Sequence, residues 1–168
     1  GDRLAPLVGA PPGAIAMVPN VTIAEAVIAS CLDLRPPNSP VVIADPSDNP
    51  GGGAPGDSTV ILRRLIERKV QGAALGPMWD PMAVRLCFMA GEGSKLQLRF
   101  GGKTALPSGQ PIDALVTVKK LVRDATQTFV DATIALGDCA TIDLGGIEVV
   151  LITKRTQAMG TDLFTGNG

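Results

Sequence analysis

Pro40-Val41-Val42-Ile43-Ala44-Asp45-Pro46-Ser47-Asp48-Asn49-Pro50-Gly51-Gly52-Gly53-Ala54-Pro55-Gly56-Asp57-Ser58-Thr59 is the stretch on which the fold turns. Val41 to Ala44 is a short β-branched run closed off by Pro40 and Asp45, the pattern of a buried strand. No helix or strand can run through residues 45–59, where proline and glycine recur every few positions. Val60 to Val70 then reads as a helix with Ile61, Leu62, Leu65 and Ile66 inward and Asp57 or Ser58 as its cap. Ala73-Ala74-Leu75 is a second short strand ending at Gly76-Pro77. The order strand, glycine-rich loop, helix, strand predicts a right-handed parallel βαβ unit.

Upstream, residues 1–20 are rich in Pro, Gly and Ala and read as a linker or irregular lead-in. Thr22-x-x-Glu25 is a capping box that opens a helix over about 22–33. Downstream, Asp80 caps a helix of about 81–90 with Pro81 at its first position, and Gly91 and Gly93 stop it. From residue 94 the period becomes two: Leu96, Leu98 and Phe100 alternate with Lys95, Gln97 and Arg99. The runs 113–122, 128–136, 139–144 and 147–153 also read as strands. Gly101-Gly102, Gly137-Asp138 and Gly145-Gly146 are the turns between or beside them, and residues 155–168 read as loop. The expected class is α/β with α+β character: an N-terminal βαβ unit with its Gly-rich loop, followed by an antiparallel β-meander. The domain is expected to span 21–168.

Composition excludes much chemistry. The 168 residues include no histidine, which removes Ser-His-Asp and Cys-His catalysis and every His-based zinc site. A net charge of −1, with no basic stripe interleaved with aromatics, argues against a nucleic-acid partner. No apolar run reaches membrane-spanning length and no signal peptide is visible. Cys31, Cys87 and Cys139 are far apart among apolar neighbours, as buried thiols of a reducing, cytoplasmic compartment would be.

Three constellations are candidates for function. The glycine-rich loop matches the dinucleotide fingerprint in letters as Gly51-x-Gly53-x-x-Gly56. Two prolines interrupt it, however, and no acidic residue ends the second strand where a ribose would be read. Asp45, Asp48 and Asp57 suit acid, base or metal-ligand roles, but the caps and Asx-turns that Asp makes routinely beside Pro and Gly are the favoured reading for each. Gly76-Pro77-Met78-Trp79-Asp80-Pro81 reads either as a helix cap with a packed indole or as an aromatic wall plus a carboxylate beside the first loop. Lys154-Arg155-Thr156-Gln157 follows the last strand as a solvated end or as donors at a neighbouring edge.

The block from Pro40 to Thr59 resembles the signature of the MlrC family, named for a microcystin-degradation protein, in its C-terminal domain. Gly76 to Pro81, Leu98-x-x-Gly101-Gly102-Lys103, Gly145-Gly146-Ile147, and Arg155-Thr156-Gln157 with Asp162-Leu163-Phe164 match in the same order. The resemblance implies a two-domain metallopeptidase whose N-terminal catalytic domain, not part of this sequence, carries the zinc ligands. This chain would hold no cofactor and no catalytic residue, and would shape the cleft for a linear or unusual peptide. The substrate-binding set so implied is Asp45, Asp48, Asn49, Gly51, Gly52, Gly53, Asp57, Ser58, Thr59, Trp79, Asp80 and Gln157. Asp48 and Asn49 are the leading polar contacts. Family members usually continue with a further strand and a Lys-Ser-x-x-His-Phe segment, so a truncated domain is expected, and the start at Gly1 suggests a processed or engineered fragment. Two other readings stay open: a stand-alone module for an anion or small ligand, and a dimerisation domain giving a homo-oligomer.

Overall fold

The computed structural model describes Asp45, residues 47–160 and residues 162–167. The lead-in 1–20, the helix expected over 22–33 and the strand expected at 41–44 lie outside them, and so does the first strand of the βαβ unit. Asp45 and Ser47 belong to one compact unit; Asp48 onward forms another, described here.

That unit is a five-stranded mixed sheet with three helices. In chain order it runs α1 (Val60–Glu67), β1 (Ala73–Trp79), α2 (Pro81–Ala90), β2 (Lys95–Phe100), β3 (Ile112–Phe129), β4 (Ala132–Asp143), β5 (Ile147–Ile152) and α3 (Asp162–Asn167). The sheet order is β1-β5-β4-β3-β2. The meander β2 to β5 is antiparallel as expected, and β1 pairs parallel with β5. β5 is apolar on both faces because both are covered. Ile147, Val149 and Leu151 join the cluster containing Leu62 of α1 and Ala83, Val84 and Cys87 of α2. Val150 and Ile152 face the other way, against Leu163 of α3.

α2 begins and ends where the sequence signals put it. Asp80 Oδ1 accepts from Ala83 N at 3.1 Å, and Gly91, at φ 86°, donates to Cys87 O. Several boundaries differ. α1 stops at Glu67 rather than Val70, because Lys69 turns left-handed at φ 54°. Its N-cap position is Thr59 rather than Asp57 or Ser58, with no side-chain cap. β1 runs through Gly76-Pro77 instead of ending there, with a register shift between Leu75 and Met78. The run expected over 128–136 is not one strand: a turn at Val130-Asp131 divides it, its start closing β3 and the rest opening β4. β3 crosses the polar stretch 123–127 by bulging around Val122 and Ala125, with Asp124 at φ 48°. Gly137, expected as a turn, is an irregular position inside β4 packed against Thr153. The expected loop 155–168 contains α3, since Leu163 is fully buried. Gly145-Gly146 does make the tight hairpin, both at positive φ.

Candidate functional site

Parallel pairing sets the C-terminal ends of β1 and β5 side by side, with Trp79 opposite Ile152. Asp80 N donates to Ile152 O, and Trp79 N donates to Gly56 O at 2.7 Å. The glycine-rich turn therefore sits over the carboxyl ends of two parallel strands, the usual place for a ligand in such sheets. The segment after β5 comes back to the same turn. Arg155 Nη1 donates to Ala54 O at 2.7 Å, and Gln157 Oε1 accepts from Gly51 N at 3.1 Å. Gln157 is held in turn: its carbonyl accepts from the buried Gln127 side chain, whose other end accepts from Met159 N.

Within the turn, side chains serve the backbone. Asp48 accepts from two amides, Gly56 N at 2.8 Å and Ser58 N at 2.6 Å, and so closes an eight-residue loop like a clasp. Asn49 Oδ1 caps the single 3₁₀ turn Pro50–Gly52 through Gly51 N, and Gly53 leaves that turn at φ 95°. Thr59 Oγ1 donates to Gln110 O at 2.7 Å and Ser108 O at 3.2 Å. Ser58 Oγ accepts a long 3.4 Å bond from Val60 N. Asp45, in the other unit, accepts from Ser47 N in an Asx-turn.

A second loop, 101–111, is tied to the first by buried charge. Asp57 is 1% exposed, and its Oδ2 accepts from Lys103 N at 2.8 Å and Thr104 N at 2.9 Å. Burial pushes its pKa up. Hydrogen bonding from the Ser108 hydroxyl, the Lys103 amide and both donors of Thr104 outweighs that and holds the carboxyl below its ordinary 3.8. Beyond that Ser108 contact, Asp57 Oδ1 and Ser108 Oγ have no hydrogen-bond partner among the described residues. Asp80 does three tasks at once: it caps α2, accepts from Gly101 N at 3.0 Å, and pairs with Lys103 Nζ at 2.8 Å. Gly101 sits at φ 61° with Met78, Thr59 and Asp57 crowded around the place of a Cβ.

The structure thus brings Asp48, Asn49, Gly51, Gly52, Gly53, Asp57, Ser58, Thr59, Trp79, Asp80 and Gln157 to one end of the sheet. The Trp79 indole donates to Thr153 O at 2.9 Å. Lys103, Thr104, Ser108, Gln110 and Arg155 complete the framework. The sequence offered Arg155 only as a donor or a solvated strand end and gave Lys103, Thr104, Ser108 and Gln110 no role, although Gly101-Gly102-Lys103 was the available signal. What faces outward is the backbone of Gly51, Gly52 and Gly53. The amides of residues 51–54, 56, 58 and 59 all have internal acceptors. A phosphate cradle needs such amides free. This turn presents exposed glycine backbone whose amides are already engaged, and its carboxylates act as acceptors rather than as a poised acid or base.

The family profile described as "MlrC C-terminus" matches residues 43–168. The chain belongs to the MlrC family. It is 37% identical over 129 residues to Microcystinase C of a Sphingomonas species, covering 77% of this chain and 25% of that protein. A crystal structure from Mesorhizobium sp. BNC1, described as a "putative metallopeptidase", shares the fold with a TM-score of 0.76 at 23% identity. That likeness covers 91% of this chain and 30% of the other. The MlrC-family domain therefore spans about a quarter of the curated relative. Among the described residues no three His, Cys, Asp or Glu side chains gather into a group that would hold a metal ion. The described side chains do not fit a zinc site. No described helix is long and apolar enough to cross a membrane.

Proposed function

We propose that this chain is the accessory domain of an MlrC-like zinc metallopeptidase. Its glycine turn would form one wall of a cleft for linear or microcystin-type peptides, and another domain would carry the zinc and the hydrolytic step. The observation that supports this reading most is the division of labour in the turn. Asp48, Asn49, Asp57, Thr59 and Asp80 all bond to the domain's own backbone, while the exposed Gly51–Gly53 surface is left bare and braced. An exposed, braced glycine backbone suits a peptide, which can lie close against it where no side chain intervenes. The stand-alone anion module is disfavoured, because the donors it needs are already engaged. In this reading Asp48 and Asn49 act on substrate through the turn they shape. Two buried free thiols, Cys87 and Cys139, suit a reducing, cytoplasmic setting.

Gly52 supplies the test. A Cβ added there meets nothing within 4 Å, and its φ is not in the left-handed region. Gly52→Trp in the longer, peptide-cleaving polypeptide should leave the melting temperature within about 2 °C, as open surface substitutions do. It should lower kcat/KM for a linear peptide by about tenfold or more by filling the cleft. Unchanged turnover with unchanged stability would remove the turn from the cleft.

A further inference from the structure

One apolar face of the helix α2 is left uncovered by the described residues. α2 reads Pro-Met-Ala-Val-Arg-Leu-Cys-Phe-Met-Ala. Ala83, Val84 and Cys87 face the sheet and are buried. The opposite side carries Met82, Leu86 and Met89 at i, i+4 and i+7, exposed by 61, 43 and 76%. A helix apolar on both faces is the kind that is buried on both in its finished assembly. Beside this stripe runs a groove of about 470 Å³ lined by Arg85, Phe88, Met89, Arg123 and Asp138 among others. Arg123 is already satisfied: its guanidinium lies 4.5 Å from the Phe88 ring centre and 2.9 Å from Asp138 Oδ2. Arg85 has no ion pair or hydrogen bond among the described residues.

We propose that the Met82–Leu86–Met89 face of α2, with Arg85 at its border, is the docking surface for another domain of the same longer polypeptide. That domain would present apolar side chains next to an acidic residue. The proposal rests on reading the chain as one domain of a longer MlrC-like protein. Two observations choose this occupant. The curated relative is about four times as long as the matched region, so much protein remains to be packed against it. A second copy of this chain is the poorer fit, because an isologous contact sets a surface against itself. Such a contact across this stripe would offer no acid on α2 to pair with Arg85. The nearby Glu92 already accepts from Leu121 N, and Asp138 holds Arg123. Methionine and arginine around a charge-poor centre are also what interface cores favour.

Met89→Cys tests this without disturbing the fold, since Met89 touches little of the core. The new thiol is labelled with a maleimide in the 168-residue chain and in the longer polypeptide. Labelling should be fast in the first and slower by about tenfold or more in the second, where a docked partner excludes reagent and water. Adding Arg85→Glu should restore fast labelling in the longer polypeptide. Equal rates in the two contexts would overturn the proposal. So would protection in the short chain that grows with its concentration, which would assign the face to a second copy. Peptide cleavage by the longer polypeptide, measured in parallel, reports on the functional reading separately: cleavage with an unprotected thiol loses only the docking surface, and protection without cleavage loses only the peptidase.

Discussion

Asp48 gives the sharpest prediction, because its two possible roles respond differently to one substitution. The carboxylate accepts from Gly56 N at 2.8 Å and Ser58 N at 2.6 Å, both partly buried. Two donors need two acceptors, and only a carboxylate offers both. Asp48→Ala removes both bonds. Asp48→Asn keeps one carbonyl oxygen but turns an NH₂ toward the second amide, so it should cost nearly as much. A hydrogen bond to a charged group contributes about 1.5–3 kcal/mol. Solvent reaches this half-buried site, and the two bonds share one loop, so a total of about 2–4 kcal/mol is expected rather than the full sum. The unit from Asp48 to Gly168 unfolds with an entropy of roughly 250 cal/mol/K at the usual 2.1 cal/mol/K per residue, so the melting temperature should fall by about 8–16 °C.

The measurement is thermal and urea unfolding of the 168-residue chain followed by circular dichroism, with Asp48→Ala and Asp48→Asn side by side. The clasp predicts that both variants drop together and that the urea slope is unchanged. If Asp48→Asn melts within about 2 °C of the parent, an ordinary surface effect, the clasp argument fails. If the longer polypeptide then loses peptide cleavage with stability intact, Asp48 is a direct substrate contact and not a brace.

Asp57 sets a pH dependence. Its folded pKa lies below the ordinary 3.8, so its stabilisation is fully present above that value and is lost as pH falls through the folded one. Urea midpoints between pH 2 and 6 should show an acid limb that Asp57→Asn flattens. Gly101→Ala should cost about 2–4 kcal/mol from positive φ and the close approach of Met78, Thr59 and Asp57, whereas Gly52→Ala should be nearly neutral by the same denaturation assay. Burial, with Asp80 nearby, raises the Cys87 thiol to about 11; burial raises Cys139 to about 12, against a smaller opposing effect of Lys120. Alkylation of the native chain at pH 8 followed by peptide mapping should leave both unmodified, and denaturant should expose both.

Signals confined to a few neighbouring residues were legible in the sequence. Asp80-Pro81 with Gly91 fixed α2, Gly145-Gly146 fixed a hairpin, and the alternation from Lys95 to Phe100 fixed an edge strand. Features decided by distant contacts were not. β3 continues past Val122 because β4 offers a partner for each residue from Ala125 to Phe129, and no local pattern announces that. α3 exists because Leu163 completes the core under Val150 and Ile152. The polar residues of the turn stand out in the sequence, but which way each side chain points is decided by partners distant along the chain. Asp57 was a candidate helix cap. The structure gives its carboxylate to Lys103 and Thr104, some 46 residues away.

That long-range pairing bears on what kind of site this is. A loop that binds by closing on its ligand keeps its polar groups free and takes its order from binding. Here the order comes first. Asp48 fixes the turn to itself, Asp57 and Thr59 fix it to loop 101–111, and Arg155 and Gln157 fix it to the segment after β5. Three chain segments hold one glycine surface still. A surface so held loses little conformational entropy when something docks on it, and preorganisation of that kind favours affinity. It also means that removing any one anchor should loosen the others. Asp48→Ala and Gln157→Ala both act on the Pro50–Gly56 turn, so their combined loss in a double-mutant cycle should differ from the sum by at least about 0.5 kcal/mol. Strict additivity would show that the anchors act separately and that the turn is not one braced unit.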